Sequence, residues 1–356
     1  MVRGITVVES QSWDLGSGDY GSGDYGRRNH VWGALDGCTL LPLGVLPVPM
    51  TWRILTDDDV WAAADYAAVV DAMERAIREH AAGTLTAPPR WSVDVAEDAR
   101  LVFTAGAAEA TGVCGFRVYE TFPDRTDEHE QLVAVWDAAD GRFHGLVVGH
   151  ATGILRTGGI GGVAADALAP ADLSTLCLLG SGPQARAQAE AISAVRDLEA
   201  IRVYSPTARH RRSLAVTLDD RLDAAVEAVP GAEPAVRGAD VVVCATDSTQ
   251  PVFDADWLAD GAHVHTLGPK FEGGHELPLA VVEAADRIVT DSLAQVDAYP
   301  RPFFVDVDRI EELGPIVTGE SDAPPVDGRS DEDLTVFCSV GLAGTEVVLA
   351  DELLGS

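Results

Sequence analysis

The chain has 356 residues, enough for two domains, and its 47% hydrophobic content is ample for packed cores. Lysine and arginine total 25 against 57 acidic residues, which gives a net charge of -32. A charge of this sign repels nucleic acids and anionic membranes, so we expect neither as a partner. No run approaches the roughly 20 apolar residues of a membrane span, so the composition predicts a globular, cytoplasmic protein.

The basic residues are almost all arginine, and Lys270 is the only lysine in the chain. Together with the acidic excess, this suggests a halophilic protein whose carboxylates hold water and cations in brine. An ordinary acidic protein from a GC-rich genome is the alternative, and unfolding measured against KCl concentration separates the two. The five cysteines are odd in number and scattered, which favours free thiols over a disulfide framework or a zinc site.

The first 49 residues differ in composition from the rest and contain the tandem repeat GSGDY at residues 16–20 and 21–25. Such a segment buries too little apolar surface to offset its ordering entropy. We therefore predict a disordered extension over residues 1–49, with Met50 as a possible biological start.

One long helix is predicted from Thr56 to Gly83. Asp59 follows Thr56 at the spacing of a capping box, and Gly83 stops the run. Apolar residues recur between them at helical spacing: Tyr66, Val69, Val70, Met73 and Ile77. Strand-like segments follow over residues 90–150.

A strand that runs directly into a glycine turn is predicted at residues 175–179. The first glycine of the turn allows a tight bend, the second lets the backbone approach a pyrophosphate, and a small residue lets the next helix pack closely. The phosphates would lie at the helix N-terminus, where unpaired N–H groups favour an anion. The predicted contacts with a dinucleotide are Gly180, Gly182, Pro183, Gln184 and Ala185.

Further strands are predicted at residues 201–204, 240–246, 261–268 and 287–291, alternating with helical patterns. The fold class is therefore α/β, with a Rossmann-type doubly wound domain over residues 171–312. This domain is inserted into a second, α+β domain formed by residues 50–170 and 313–356. Thr246 and Gly268, near the ends of two of these strands, join the predicted cofactor site.

The end of the second predicted strand indicates which cofactor is bound. An NAD enzyme usually has an acidic residue there for the ribose hydroxyls. In this chain no carboxylate occurs between Tyr204 and Arg212, and hydroxyls and arginines suit a 2′-phosphate instead. We predict a preference for NADP(H), with NAD(H) possible, bound by Ser205, Thr207 and Arg209.

From about residue 52 to the end, the chain resembles the ornithine cyclodeaminase and mu-crystallin family. The motifs that carry the resemblance occur in the family's order: Pro88-Pro89-Arg90, Gly115-Phe116-Arg117-Val118, Leu155-Arg156-Thr157-Gly158, the glycine fingerprint, residues 261–268 before Glu276-Leu277, Asp291-Ser292 and residues 337–343.

The resemblance implies a Rossmann-type domain beside a second domain that binds substrate and whose sheet pairs across a homodimer. It also implies hydride exchange between a nicotinamide and the α-carbon of a small amino or imino acid. Arg90 and Arg156 match the family's substrate-binding arginines, and the planar fork of arginine suits a carboxylate. Thr157 directly precedes the glycine-rich run of residues 158–162, whose permissive backbone would lie near the cofactor.

One departure from the family concerns proton transfer. Most members have a lysine where this chain has Arg117, and arginine can bind a carboxylate but cannot release a proton. The cyclodeaminases also place an acid near the strand end where this chain has Thr246 followed by Asp247.

Four other residues are therefore considered for proton transfer. Asp247 is one candidate, and His263 and His265 are others, for which a structural role is an equal alternative. Lys270 lies in a loop at the carboxyl end of a strand, where ligands bind in doubly wound folds. We predict Arg117, Lys270 and Asp247 as catalytic residues.

The predicted function is an NAD(P)-dependent oxidoreductase, similar to alanine dehydrogenase or a ketimine reductase. Two alternatives remain open: a true ornithine cyclodeaminase, and a cofactor-bound protein that binds a ligand without turnover. The substrate side chain is not readable from the sequence, because residues far apart in the chain shape the pocket.

Overall fold

The computed structural model describes residues 52–97, 99–122, 131–321 and 333–355, so the predicted extension 1–49 lies outside them. The first elements are β1 (Arg53–Leu55), α1 (Asp57–Ala63), α2 (Tyr66–Ala81), β2 (Leu85–Thr86), β3 (Trp91–Ala96), β4 (Ala99–Ala108), β5 (Val113–Thr121), β6 (Gln131–Asp137), β7 (Phe143–Val148) and α3 (Ala151–Leu168).

The second group of elements begins at the glycine fingerprint. It comprises β8 (Thr175–Leu179), α4 (Pro183–Val195), β9 (Ala200–Tyr204), α5 (Ala208–Asp219), β10 (Ala225–Ala228), α6 (Ala232–Val236), β11 (Val241–Cys244), β12 (His263–Thr266), β13 (Lys270–Phe271), β14 (Gly274–His275), α7 (Leu279–Ala284), β15 (Arg287–Thr290), α8 (Leu293–Asp297), β16 (Ile310–Glu312), α9 (Leu313–Thr318), β17 (Thr335–Cys338) and α10 (Thr345–Gly355). None of the described helices is long and apolar enough to cross a membrane.

The predicted capping box forms, but the single long helix predicted after it is wrong. The hydroxyl of Thr56 donates to Asp59 Oδ2 at 2.7 Å, and its N–H donates to the same oxygen at 2.9 Å. The chain then forms two helices, because Asp65 caps α2 by accepting the N–H of Ala67 at 3.0 Å. An aspartate satisfies free N–H groups at a helix start better than it fits a helix interior.

A seven-stranded mixed sheet has the order β1-β7-β6-β5-β4-β2, with β3 paired to β4. Its inner face packs on α10 and contains Arg117 and Tyr119 of β5, which lie opposite Thr104 and Val102 of β4. The alternate residues, such as Phe116, form the outer face. Because side chains alternate across a strand, the polar row and the apolar row are separated by the sheet itself.

The second sheet is parallel throughout and has the order β10-β9-β8-β11-β12-β17-β15-β16. The chain leaves β8 for β9 on one side and returns to β11 on the other, so the end of β8 lies at a topological switch point, where such folds bind ligands. Thr335–Cys338 lies in the range 313–356 assigned to the second domain, yet it pairs within this sheet. The domain division itself stays a prediction.

The glycine-rich run of residues 158–162 is part of the buried helix α3, and its nearness to the cofactor stays a prediction. A Cβ at Gly158 would lie 2.9 Å from Ala187 of α4, and one at Gly159 would lie 2.7 Å from Met73 of α2. The glycines therefore let three helices approach closely, and helix packing explains their position.

Candidate active site

The glycine turn after β8 has the geometry that a dinucleotide needs. Gly180 has a φ of 132°, a conformation that favours glycine, and a Cβ there would lie 2.3 Å from the carbonyl oxygen of Ala245. Gly182 precedes α4 with open space beside it, and Pro183 occupies the first turn. These residues fit a pyrophosphate at the N-terminus of the 13-residue helix.

The loop after β9 lies next to this turn. Ser181 donates a hydrogen bond to the hydroxyl of Ser205 at 2.9 Å, which ties the two loops together. Thr207 precedes α5, and Arg209 is exposed in its first turn without a hydrogen bond to any described residue. Arg211 is engaged differently, since its guanidinium donates to the carbonyl oxygen of Ser205 at 2.9 Å. Arg209 is thus available to a ligand at this loop.

Thr246 and Gly268 are held together by Glu276, a fully buried carboxylate that the sequence analysis named in a family motif but gave no role. The N–H and hydroxyl of Thr246 donate to Glu276 Oε2 at 2.9 and 2.7 Å, and the N–H of Gly268 donates to Oε1 at 2.6 Å. The carboxylate therefore fastens the ends of β11 and β12. A signal was present in the sequence, because an acid follows a strand end within a glycine-rich loop.

Two of the predicted arginines meet at a third residue that the sequence analysis missed, Glu346 on α10. Its Oε1 accepts a hydrogen bond from Arg117 Nη1 at 3.0 Å and lies 3.3 Å from Arg156 Nε. Gln131 accepts from Arg117 Nε at 2.9 Å. Burial opposes ionisation of Glu346, but the charges of Arg156 and Arg117 outweigh it and hold the pKa of the carboxyl below its usual value.

The third predicted arginine, Arg90, lies beside the backbone of residues 340–341. Its guanidinium donates to the carbonyl oxygen of Val340, and its N–H donates to the side chain of Gln295 at 3.0 Å. Gly341 is next to Arg156, because a Cβ there would lie 2.9 Å from Arg156 Nη1. One short stretch of backbone therefore separates Arg90 from Arg156.

This stretch is fixed by Asp291, whose carboxylate accepts the N–H groups of Val340 at 2.8 Å and Gly341 at 2.9 Å. The Nε atom of Arg90 is buried and forms no hydrogen bond with any residue in the described part of the chain, whereas that of Arg156 lies 3.3 Å from Glu346 Oε1. An unsatisfied buried donor is costly, so the guanidinium of Arg90 fits a carboxylate ligand.

A cavity of about 440 Å³ opens beside Arg90, between the inner face of the mixed sheet and the segment around α8. Its wall includes Arg100, Tyr119, Tyr299 and Arg301, and no aspartate or glutamate is among its described lining residues. The volume is suited to a small ligand.

Lys270 directly precedes Phe271, which lines this cavity, but is not itself a lining residue. Its side chain is 2% exposed, and Nζ donates to the carbonyl oxygen of Gly268 at 2.7 Å. Burial lowers the pKa of Lys270, against the opposing attraction of Glu276. The ammonium is therefore easier to deprotonate than that of a surface lysine.

The remaining candidates lie apart from the arginines. Asp247 is exposed in the loop after β11. His263 and His265 are buried within the parallel sheet, where His263 Nδ1 lies 2.7 Å from the hydroxyl of Thr335. Burial lowers the pKa of His265 to about 3, so its imidazole is neutral near pH 7. Thr157 uses its hydroxyl inside α3, donating to the Gly153 carbonyl oxygen at 2.8 Å.

A sequence model of the ornithine cyclodeaminase/mu-crystallin family matches residues 51–353. The chain is 30% identical over 291 residues to a Delta(1)-pyrroline-2-carboxylate reductase of Bacillus cereus, covering 78% of this chain and 88% of that protein. It is 31% identical over 311 residues to an alanine dehydrogenase of Archaeoglobus fulgidus, covering 85% and 94%.

Among solved structures, an archaeal alanine dehydrogenase dimer with bound NAD matches with a TM-score of 0.75 and 27% identity, over 85% of this chain and 95% of that chain. The two-sheet architecture is therefore shared with an enzyme that binds a nicotinamide dinucleotide.

Proposed function

The chain belongs to the ornithine cyclodeaminase/mu-crystallin family, and on that premise we propose that this oxidoreductase uses NAD(P)H to reduce the C=N bond of a small α-imino acid. The observation that carries the proposal is the group of Arg90, Arg117 and Arg156, of which Arg90 lines a cavity of about 440 Å³. Glu346 contacts Arg117 and Arg156, whereas the guanidinium of Arg90 donates, among the described residues, only to the carbonyl oxygen of Val340, so the charge of Arg90 is available to a substrate carboxylate.

The clamp, formed by Arg90, Arg117 and Arg156, and the glycine turn at Gly180 have separate roles. Arg90 and Arg156 hold the substrate carboxylate with their guanidinium groups, and Arg117 supports the same charge from β5. The Gly180 turn would hold the pyrophosphate of a nicotinamide dinucleotide, which would supply the hydride for the substrate α-carbon.

We assign proton transfer to Lys270. The substrate nitrogen must gain a proton as the C=N bond becomes a C–N bond, and the ammonium of Lys270 gives up this proton and regains one from water. Its position beside Phe271, its burial and the lowered pKa support the assignment. Arg117 cannot take this part, because guanidinium groups do not release protons in proteins. Asp247 is the less suitable candidate, since it is exposed and lies outside the arginine cluster.

For the cofactor we propose a preference for NADP(H) over NAD(H). Arg209 is exposed and available beside Ser205 and Thr207, and no carboxylate occurs in residues 204–212. The dissociation constants of NADPH and NADH test this directly. Arg209→Gln should weaken NADPH binding about tenfold and leave NADH binding unchanged. Tighter binding of NADH than of NADPH by the unaltered protein contradicts the proposal.

We also propose a homodimer in which a second copy covers the outer face of the mixed sheet. This face forms an apolar groove that includes Phe103, Phe116 and Trp136. Trp91 and Val93 on the neighbouring strand β3 are about half exposed, at 47% and 50%. A contiguous apolar face of this kind is typical of an interface between subunits.

The decisive experiment follows NADPH and NADH absorbance in the full-length protein in high KCl. The substrates are pyruvate with ammonia, cyclic imines, ornithine, proline and alanine. Oxidation of NADPH by an imine supports the reductase, whereas ammonia release from ornithine without net oxidation of cofactor supports a cyclodeaminase. Tight cofactor binding with no turnover on any substrate contradicts the proposal and favours the binding-protein alternative.

A further inference from the structure

The cavity beside Arg90 has a cationic wall, although the protein carries a net charge of -32. Three arginines contribute to the lining, Arg90, Arg100 and Arg301, and none of its described lining residues is acidic. Arginines that serve only solubility are expected to be spread over the surface rather than gathered in one cavity, where their charges repel one another. An anionic ligand explains the grouping of the arginines, because guanidinium groups bind carboxylates strongly.

The strand register places Arg100 on the inner face of the mixed sheet, away from Arg117. Arg117 lies opposite Thr104, and Arg100 lies opposite Thr121, so all four residues belong to the same face of the mixed sheet. Arg100 is four residues from Thr104 along β4, which separates it from Arg117 by about 14 Å along the sheet. One end of the face therefore holds Arg117, and the other end holds Arg100.

Arg301 approaches the same cavity from the other side. Its guanidinium lies 4.3 Å from the centre of the Phe271 ring, and it forms no ion pair within the described parts of the chain. Arg100 uses only Nε for an ion pair, at 2.7 Å to Asp94, whose side chain is 73% exposed. The terminal nitrogens of Arg100 bond to no described residue, so both arginines keep donors for a ligand.

From these contacts we infer that the substrate is an α-imino dicarboxylic acid, with its α-carboxylate at Arg90 and Arg156 and its side-chain carboxylate at Arg100 and Arg301. The inference rests on the proposed function and names its substrate class. In the balanced reaction, the imine gains a hydride at carbon from NADPH and a proton at nitrogen from Lys270. The products are an α-amino dicarboxylic acid and NADP⁺, and both carboxylates are unchanged.

Turnover tests the inference with oxaloacetate and pyruvate, each supplied with ammonia so that the imine forms in solution. We expect kcat/KM for oxaloacetate to exceed that for pyruvate about 10- to 100-fold, the range of one or two charge-assisted hydrogen bonds. Arg100→Gln and Arg301→Gln should lower kcat/KM for oxaloacetate by this factor and change that for pyruvate less than about threefold. Arg237→Gln, at the end of α6 and outside the cavity, is the matched control.

Ligand binding tests the same inference without turnover. Succinate and butyrate have equal chain lengths but two carboxylates and one, and each is titrated calorimetrically into the NADPH-saturated protein. Tighter binding of succinate that Arg301→Gln abolishes supports the inference. Equal affinities for succinate and butyrate overturn the inference of a dicarboxylic substrate. So does a higher kcat/KM for pyruvate than for oxaloacetate in the NADPH-oxidation assay. Neither result contradicts the proposed imine reductase activity. If no imine of any kind is reduced, the proposed function fails instead.

Discussion

The carboxylate of Glu346 lies 3.0 Å from the guanidinium of Arg117, although the two residues are 229 positions apart in sequence. The contact joins α10, the last helix, to β5 in the mixed sheet, and Arg156 from α3 completes it at 3.3 Å. A buried anion between two buried cations holds the clamp arginines in place and limits the repulsion between them.

Replacement of Glu346 by Gln is expected to destabilise the protein by about 3–5 kcal/mol, because two guanidinium groups would stay buried without their anion. Glu346→Asp should recover part of this loss. Denaturant unfolding measures the change, and Glu352→Gln is the control, since Glu352 forms a half-exposed pair with Arg75 and should cost less than about 1 kcal/mol. Equal losses in Glu346→Gln and Glu352→Gln would show that the cluster does not stabilise the fold.

Replacement of Lys270 by Met should lower kcat about 10²- to 10⁴-fold if its ammonium supplies the proton. Lys270→Arg should be almost as slow, because arginine keeps its proton. In the unaltered enzyme, kcat should fall on the alkaline side below the ordinary lysine pKa of 10.5, since burial lowers the pKa of Lys270. NADPH affinity serves as the control and should not change. Full turnover in both variants would remove Lys270 from the mechanism.

Stability should fall in acid through His265. Its folded-state pKa of about 3 lies below the ordinary 6.5, so between these values the unfolded chain binds a proton that the folded protein does not. Unfolding therefore becomes easier as the pH falls, by about 3 kcal/mol between pH 7 and pH 4 from this group alone. His265→Phe should flatten this slope. Phe337→Leu, which alters the ring packed 4.8 Å from His265, should lower stability equally at both pH values.

Alanine substitutions at Gly158 and Gly182 should affect different properties, the free energy of unfolding at Gly158 and NADPH affinity at Gly182. At Gly158 a Cβ would lie 2.9 Å from the backbone oxygen of Ala187, and the overpacking cost of about 1–3 kcal/mol should exceed the gain of up to about 1 kcal/mol in helix propensity. At Gly182 a Cβ meets no atom within 4 Å, so Gly182→Ala should unfold normally yet bind NADPH more weakly. Unchanged NADPH affinity in Gly182→Ala would argue against a pyrophosphate at this turn.

The proposed dimer should separate when a charge is placed on the outer face of the mixed sheet. Phe103→Lys introduces an ammonium into the apolar groove, and light scattering on a sizing column should then report a monomer. Val216→Lys is the control, because Val216 is a 62% exposed apolar residue on α5, outside the groove. If the unaltered protein is already a monomer, the proposed homodimer is wrong.

The sequence alone predicted the elements whose signals are local. The strand at Thr175–Leu179, the turn at Gly180 and the helix from Pro183 follow from apolar runs, glycine freedom and a favourable first helical turn, all within about 20 residues. The family motifs likewise identified Arg90, Arg117 and Arg156 before any contact was known. The capping pair of Thr56 and Asp59 was also readable, because its two partners are three residues apart.

Only the tertiary structure decided which distant residues share a site. Glu346 joins Arg117 and Arg156, and Arg100 and Arg301 line one cavity, yet no local pattern connects these residues. The packing role of the glycines at 158–162 also became visible only in the structure, because a close contact between helices depends on residues far apart in sequence. Strand order and helix packing bring such residues together, and both depend on contacts across the whole chain rather than on neighbours in sequence.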